Sequence, residues 1–507
     1  MGVQVQVLSS VPSIMENTLK NITFGTSGHR GIIGTSFTTQ HIVSIAIAIA
    51  RYFKAHGIDH PKVLVGYDTR AGNSPRLDEN TYTYGLTQTL IKYKIQVDFC
   101  DSFAPTPLIS WAVKEHDYHL GIILTASHNP PNYNGIKIND SNGAPASVEI
   151  THWIQREANA LFDSADVTQI SLPKKPVNKI NYNQGFVDQL QKIVKQTFQL
   201  PFSDFSDEYV IDPKCGSAIH IWKLLTASAI GTIHWKNDRF SSDFNFEIPN
   251  PTSKDTIKTL GTLCKEKQCV AFSNDPDADR HAMVDELGNS VSPEKIAGII
   301  IHYCMKNGIS IASVATSLAN STLVKKICTH HDIQCHETNI GFKYFTPFLL
   351  NSNNQNKLTL GIESSGGFSV SPHTFDKCGF LPILLILGIM KKTTTKLHEL
   401  SKEIDEQFSE FTFVEDALEL PNTSDLDIKE RLSIKKPTLD RLFNLDIATI
   451  NYNDGLKITF PNDDWVLCRP SGTEPLVRIY AESNNKDTAN YYIHQIKGLF
   501  SKSPLLG

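Results

Sequence analysis

Short apolar runs, each closed by a cluster of Gly, Pro, Asn, Asp or Ser, recur along the chain at 62–66, 96–100, 121–124, 208–211, 269–272, 311–316, 358–360 and 465–468. Runs of this length with such boundaries predict buried strands that empty into loops. Longer stretches at 42–53 and 81–93, and one that ends near 330, predict helices packed on the sheets. The apolar stretch 380–390 is too short to span a bilayer and predicts a buried helix. Strand, helix and strand alternate through the first third, as in a doubly wound parallel sheet.

A chain of 507 residues exceeds what one core supports, so about three or four domains are expected. Residues 1–23 read as a polar lead-in, and Pro, Lys and Asn cluster near residue 180. The stretch from 413 stays polar until 455. These changes predict α/β units over 1–180, 181–300 and 301–412, and a smaller α+β unit over 413–507.

Composition narrows the class. Hydrophobic content of 40%, charged content of 20% and a net charge of −5 are ordinary for a globular protein. They give no footprint for nucleic acid or for an anionic membrane surface. The 9 cysteines are scattered, with no CxxC pair, which predicts reduced thiols in a cytoplasmic protein rather than a zinc site or disulfide framework. No signal peptide is apparent in residues 1–20.

Four loops hold the candidate chemistry. The first, Thr125-Ala126-Ser127-His128-Asn129-Pro130, places Ser127 at the carboxyl end of a strand, where open α/β sheets bind ligands. The second, Asp275-Pro276-Asp277-Ala278-Asp279-Arg280, sets three carboxylates at alternate positions straight after a strand. Like charges this close call for a cation, and hard oxygens without His or Cys favour Mg²⁺, with Mn²⁺ or Ca²⁺ as alternatives. Arg280 would restrain the last carboxylate or touch phosphate.

The third loop, Gly361-Ile362-Glu363-Ser364-Ser365-Gly366-Gly367, offers Glu363 and Ser365 as a fork for vicinal hydroxyls. Lys377 downstream would meet an anion or donate a proton. In the fourth, Arg469-Pro470-Ser471-Gly472-Thr473-Glu474-Pro475 runs up to Arg478, and its arginines, hydroxyls and glycine backbone form a phosphate nest. An Arg30 within the glycine-rich stretch 25–31 suits phosphate oxygens as well.

Together these loops suit phosphoryl transfer, which depends on positioning and on charge neutralisation. Ser127 would carry a phosphoryl group, one of whose oxygens binds Mg²⁺ on Asp275, Asp277 and Asp279. Arg469, Ser471, Thr473 and Arg478 would hold a second phosphate, with Glu363 and Ser365 holding a sugar between. A remote phosphate anchor points to isomerisation, since hydrolysis has no need of one.

The four loops, in this order, resemble the α-D-phosphohexomutase superfamily over nearly the whole chain. The stretches 25–31 and 274–284 and the spacing from Ser127 to Lys137 look like those of bacterial phosphoglucomutases. The resemblance implies three related α/β domains and a smaller α+β domain around a central cleft. It implies a phosphoserine enzyme interconverting glucose 1-phosphate and glucose 6-phosphate, with one Mg²⁺ per subunit and glucose 1,6-bisphosphate as activator and intermediate. Hexose phosphates would be its partners, and the chain would act as a monomer or dimer.

By resemblance, Arg30, His128 and Lys137 sit near the transferring phosphoryl group, and Lys343, Gly472 and the loop residues above bind substrate. Burial would tune Lys137 toward neutrality for proton transfer, with His128 the second candidate. Lys377-Cys378-Gly379 stands where relatives often show Lys-Asp-Gly, which predicts a loosely placed Lys377. Ser364 replaces a Glu often found in glucose-specific relatives, so a phosphomannomutase or dual-specificity enzyme is the alternative. A silent sugar-phosphate binder would lack Ser127 or an aspartate, and this chain has them all.

Overall fold

The computed structural model describes residues 21–351, 357–420, 425–471 and 476–501. Four sheets follow one another along the chain. In the first, strands β1 (His29–Ile32), β2 (Lys62–Tyr67), β3 (Gln96–Cys100), β4 (Leu120–Leu124), β5 (Tyr133–Asn139) and β6 (Asn178–Ile180) lie in the order β1-β5-β4-β2-β3-β6. The second holds β7 (Tyr209–Asp212), β8 (Ile233–Trp235), β9 (Val270–Asn274), β10 (His281–Val284) and β11 (Ser290–Val291) in the order β11-β10-β9-β7-β8. The third, from β12 (Ile311–Ser317), β13 (Gln334–Thr338), β14 (Leu358–Ile362) and β15 (Phe368–Val370), runs β13-β12-β14-β15. The fourth, from β16 (Thr412–Glu419), β17 (Thr449–Asn451), β18 (Leu456–Thr459), β19 (Trp465–Pro470) and β20 (Leu476–Ser483), runs β16-β20-β19-β18-β17 and is wholly antiparallel.

The first sheet is not the purely parallel one that its strand–helix alternation predicts, and the next two sheets are mixed in the same way. In each, parallel strands are followed by one antiparallel partner: β5 on β4, β10 on β9 and β15 on β14. The reason is length. A parallel return needs a crossover of a dozen or more residues, whereas a short loop can only reverse the chain. The first three candidate loops are therefore hairpin tips, gripped by a ladder on both sides, and the paired strands β19 and β20 flank the fourth. The helix Pro293–Lys306 runs across residue 300, where composition separates the second and third units.

The helices follow the apolar spacing. In the helix Thr39–Ala55, Ile42, Ile45, Ile49 and Phe53 are all buried. Phe380–Thr393 is a buried helix, as its uniform apolarity predicts, with every residue from Phe380 to Ile389 out of solvent. Its environment is a single apolar core that runs continuously from the first sheet through the third. The fourth unit has a core of its own around Leu439, Phe460, Ile479 and Ile496. A small apolar seam of Leu318, Ala319, Trp465 and Leu467 joins it to the third. None of the cysteines is in a disulfide, and no helix among the described residues is long and apolar enough to cross a membrane.

Beside that seam, Glu482 accepts hydrogen bonds from Thr322 N at 2.7 Å and Trp465 Nε1 at 3.1 Å. Burial, and then the Glu482 carboxylate, push Glu294 up to about 7, against the pull of its own amide. A raised folded-state value favours the protonated form, so this stability is complete below the ordinary 4.5 and is lost as pH rises through about 7. Glu294→Gln should therefore match the wild type at pH 5 and gain on the order of 1–3 kcal/mol by pH 8. Parallel melting curves at the two pH values would refute this.

Candidate active site

Ser127 is buried at the tip between β4 and β5 in a left-handed conformation, φ 52°. Its amide donates to Thr125 Oγ1 at 2.8 Å, and that hydroxyl donates to Asp68 Oδ2 at 2.6 Å. A residue other than glycine in this region is strained and persists only where its surroundings fix it. The consequence is an aimed hydroxyl: Ser127 Oγ donates to Asp275 Oδ2 at 2.7 Å. The serine loop and the carboxylate loop, far apart in sequence, form one pocket.

Asp275, Asp277 and Asp279 are fully buried, and one oxygen from each lies within 4.8 Å of the others. Lys137, on β5, donates to Asp277 Oδ2 at 2.5 Å and Asp279 Oδ2 at 2.6 Å. Thr106 Oγ1 donates to Asp277 Oδ2 at 2.7 Å. Arg280 Nε stands 3.9 Å from Asp275 and 3.8 Å from Asp279. Asp277 Oδ1 and Asp279 Oδ1 remain buried without a hydrogen-bond partner. Buried carboxylate oxygens rarely go unmatched, and a hard divalent cation is the ligand these would accept. The residues present suit Mg²⁺.

Charge in the pocket is strongly partitioned. Burial, followed by the Asp277 and Asp279 carboxylates, drives Asp275 well above the usual carboxylate range. Asp279 goes the other way: burial would raise it, but Lys137, Lys377 and Arg280 hold it far below. Burial would lower Lys137, yet Asp277 and Asp279 more than offset this and keep it above its ordinary value. That reverses the expected tuning toward neutrality, because burial among aspartates differs from burial among apolar groups. His128 Nδ1 lies 3.4 Å from Ser127 Oγ, and burial, then Arg280 and Arg30, hold its ring well below 6.5. Arg30 Nη1 donates to Asn129 Oδ1 at 2.8 Å, and burial, then Arg280, lower its guanidinium to about 10.

The loop between β14 and β15 is locked to this pocket. His281 N and Nδ1 both reach Gly366 O, at 3.0 and 2.6 Å, and Gly379 N donates to Ala278 O at 3.0 Å. Glu363 Oε2 accepts from Ser365 Oγ at 3.3 Å and lies 3.6 Å from Lys377 Nζ, which is 3.5 Å from Asp279. Lys377 is thus well placed. Its neighbour Asp376 is a buried carboxylate whose Oδ2 accepts from Asn139 Nδ2 at 3.1 Å, while Cys378 turns into the apolar core. The carboxylate expected after Lys377 is supplied before it. At Gly379 a Cβ would strike the Arg280 carbonyl and the Asn274 amide. Gly379→Ala should cost about 1–3 kcal/mol by overpacking and lower activity by about tenfold or more as the two loops separate. Melting curves and rates that match the wild type would contradict it.

Lys343 reaches toward the first unit, with Nζ 3.5 Å from Gly25 O. Three residues before it, Ile340 N donates at 3.0 Å to Asp454 of the fourth unit, which pairs with Arg469 Nη2 at 3.4 Å. Ser471 is buried, with its amide on Leu476 O, and Arg478 pairs with Glu415 at 3.3 Å across β20 and β16. Gly472 and Thr473 lie outside the described residues. Ser127, His128, Lys137, Arg30, the three aspartates, Arg280, Glu363, Ser365 and Lys377 converge on one pocket. Lys343 and Arg469 stand beside Asp454, and Arg478 engages Glu415 instead. Thr106 and Asn320 escape sequence reading. The Asn320 side chain clamps the third loop through Ser364 N at 2.6 Å and Ile362 O at 2.8 Å. A lone Thr or Asn outside a motif gives no signal of such a role.

Family models match four successive stretches. The phosphoglucomutase/phosphomannomutase alpha/beta/alpha domains I, II and III match residues 21–164, 184–288 and 292–408, and the C-terminal domain matches 423–499. Fold and matches together define a four-domain intramolecular phosphotransferase. The chain belongs to the phosphoglucomutase/phosphomannomutase family of the α-D-phosphohexomutase superfamily. The phosphoglucosamine/phosphogalactosamine mutase of Sulfurisphaera tokodaii is 27% identical, over 94% of this chain and 98% of that one. The phosphoglucomutase of Komagataeibacter xylinus is 28% identical, over 92% and 88%. Among solved structures, the open form of pp63/parafusin, a phosphoglucomutase from Paramecium, superposes with a TM-score of 0.71 at 22% identity, covering 93% of each chain.

Proposed function

We propose that the protein interconverts α-D-glucose 1-phosphate and glucose 6-phosphate through a phosphorylated Ser127 and glucose 1,6-bisphosphate. The observation that carries this reading is the 2.7 Å bond from Ser127 Oγ to Asp275, which sets a nucleophilic oxygen inside a carboxylate cage. Glucose 1,6-bisphosphate primes the serine. Asp275, Asp277 and Asp279 would hold Mg²⁺, which would supply charge neutralisation at phosphorus when bound.

In the forward half, the substrate's free hydroxyl attacks the phosphoserine, the P–Oγ bond breaks, and a new P–O bond forms on the sugar. His128, neutral and beside Ser127, takes the hydroxyl proton. Lys137 stays charged and, with Arg30 and Arg280, holds the moving phosphoryl oxygens. The bisphosphate then turns over, the serine oxygen attacks the other phosphorus, the bond from that phosphorus to the sugar breaks, and the released sugar oxygen recovers the proton held on His128. Glu363 and Ser365 hold sugar hydroxyls, with Lys377 bracing Glu363. Lys343, Arg469, Ser471, Gly472, Thr473 and Arg478 hold the phosphate that is not reacting.

Relatives below 30% identity are named for glucose, mannose and amino-sugar phosphates, which favours a second reading, a mutase for mannose or amino-sugar phosphates. A panel of glucose, mannose and glucosamine 1-phosphates, assayed with Mg²⁺ and glucose 1,6-bisphosphate, separates them. Glucose 1-phosphate should give the highest kcat/KM; a higher value with mannose or glucosamine transfers the assignment to that sugar.

A further inference from the structure

Arg70 is completely shielded from solvent, yet the chemistry above has no use for it. Its guanidinium donates to four backbone carbonyls of the nucleophile loop. Nη2 reaches Ser127 O at 2.5 Å and Asn129 O at 2.6 Å, and Nη1 reaches Pro130 O at 2.8 Å and Tyr133 O at 2.9 Å. Nε faces Asp68 Oδ2 at 3.2 Å, the oxygen that also receives the Thr125 hydroxyl. Ser127 is therefore gripped from both ends. Its amide is held through Thr125 and Asp68, and its carbonyl by the arginine paired to that same aspartate. Only a rigid planar fork can address four fixed acceptors at once; an ammonium has three donors and no plane.

The face of the guanidinium is covered from outside the first unit. Phe244, buried, places its ring 4.9 Å from Arg70 Cζ. It comes from the loop between β8 and β9 of the second unit. There, Phe244, Asn245 and Phe246 take three consecutive left-handed conformations, φ 53°, 55° and 59°. Side chains rarely accept this once, and Asp243 Oδ1 secures the turn by receiving Asn245 N at 3.0 Å. The turn sends one phenyl ring inward onto Arg70 and leaves the other, Phe246, 90% exposed.

We propose that Arg70, capped by Phe244 of the neighbouring α/β unit, is a positioning residue that keeps Ser127 in its left-handed conformation with Oγ aimed at the aspartate cage. Arg70 touches neither the sugar nor the phosphoryl group. Its loss should lower the chemical step and leave substrate binding alone. The kinetic part rests on the mutase reading; the hold on the loop does not.

The test uses full-length Arg70→Lys, Phe244→Ala and Phe244→Tyr. Deuterium exchange is followed by mass spectrometry on peptides spanning 125–134, and kcat and KM are measured separately. Arg70→Lys keeps the charge opposite Asp68 but loses the fork. It should speed exchange in that segment by about tenfold while the rest of the chain is unchanged, and lower kcat by roughly 100-fold with KM within about twofold. Phe244→Ala should lower kcat about fivefold, and Phe244→Tyr, which keeps the ring over the guanidinium, should restore it. Wild-type exchange in 125–134, or wild-type kcat in folded Arg70→Lys, overturns the proposal. So does a KM that rises in step with the loss of kcat, which would put Arg70 on the substrate. If Arg70→Lys does not fold, the two Phe244 variants decide by the same readouts. A wild-type protein inactive on every hexose phosphate defeats the mutase reading, and loop exchange alone then judges the clasp.

Discussion

Replacing Ser127 by alanine should cut interconversion of glucose 1-phosphate by about four orders of magnitude or more, with the fold intact. Without the hydroxyl no covalent phosphoryl enzyme forms, and losing a nucleophile removes nearly all that its assisting groups contribute. The fold should survive because the backbone around Ser127 is held by Thr125, Asp68 and Arg70, none of which depends on the Oγ atom. The substitution also frees Asp275 of its hydroxyl donor. A coupled assay for glucose 6-phosphate gives the rate, intact-mass measurement after incubation with glucose 1,6-bisphosphate gives the phosphate load, and a melting curve checks the fold. Activity above about 1% of wild type would assign the nucleophile elsewhere.

Stripping the divalent cation should be nearly as damaging. Dialysis against EDTA is expected to lower turnover by about three orders of magnitude, and Mg²⁺ should restore it. Among the three buried aspartates, Asp277 Oδ1 and Asp279 Oδ1 have no hydrogen-bond partner, and a hard divalent cation is the ligand they would take. A ligand that binds the folded state stabilises it by mass action, roughly 2.7 kcal/mol at a hundredfold excess over Kd. Mg²⁺ should thus raise the melting temperature of the wild type and leave that of Asp277→Asn nearly unchanged. Full activity in protein shown by elemental analysis to hold less than about a tenth of an equivalent of metal would sink this reading.

Much of this site could be read from the chain because each loop combines special residue types with a strand ahead of it. Alternating aspartates after an apolar run admit few explanations, and Ser127 sits where the strand 120–124 must end. Strand direction was hidden, since periodicity does not distinguish parallel from antiparallel neighbours; only the shortness of the loops forces the reversal. The state of Lys137 was hidden too. Sequence tells that a lysine follows Ser127 at a set spacing, not that Asp277 and Asp279 flank it. Thr106, Asn320 and the Arg70–Phe244 contact join elements remote in sequence, so no local pattern announces them.

The continuous core beneath the first three sheets divides the molecule into two mechanical bodies. Three of the catalytic tips ride on one rigid block, stitched together by Ser127–Asp275, Thr106–Asp277 and His281–Gly366. The strands flanking the fourth loop, proposed to hold the non-reacting phosphate, belong to the other body, whose interior is its own. On the proposed reaction, a sugar bisphosphate turning end over end would gain room by parting the contacts along the seam of Leu318 and Trp465, leaving the three joined tips undisturbed.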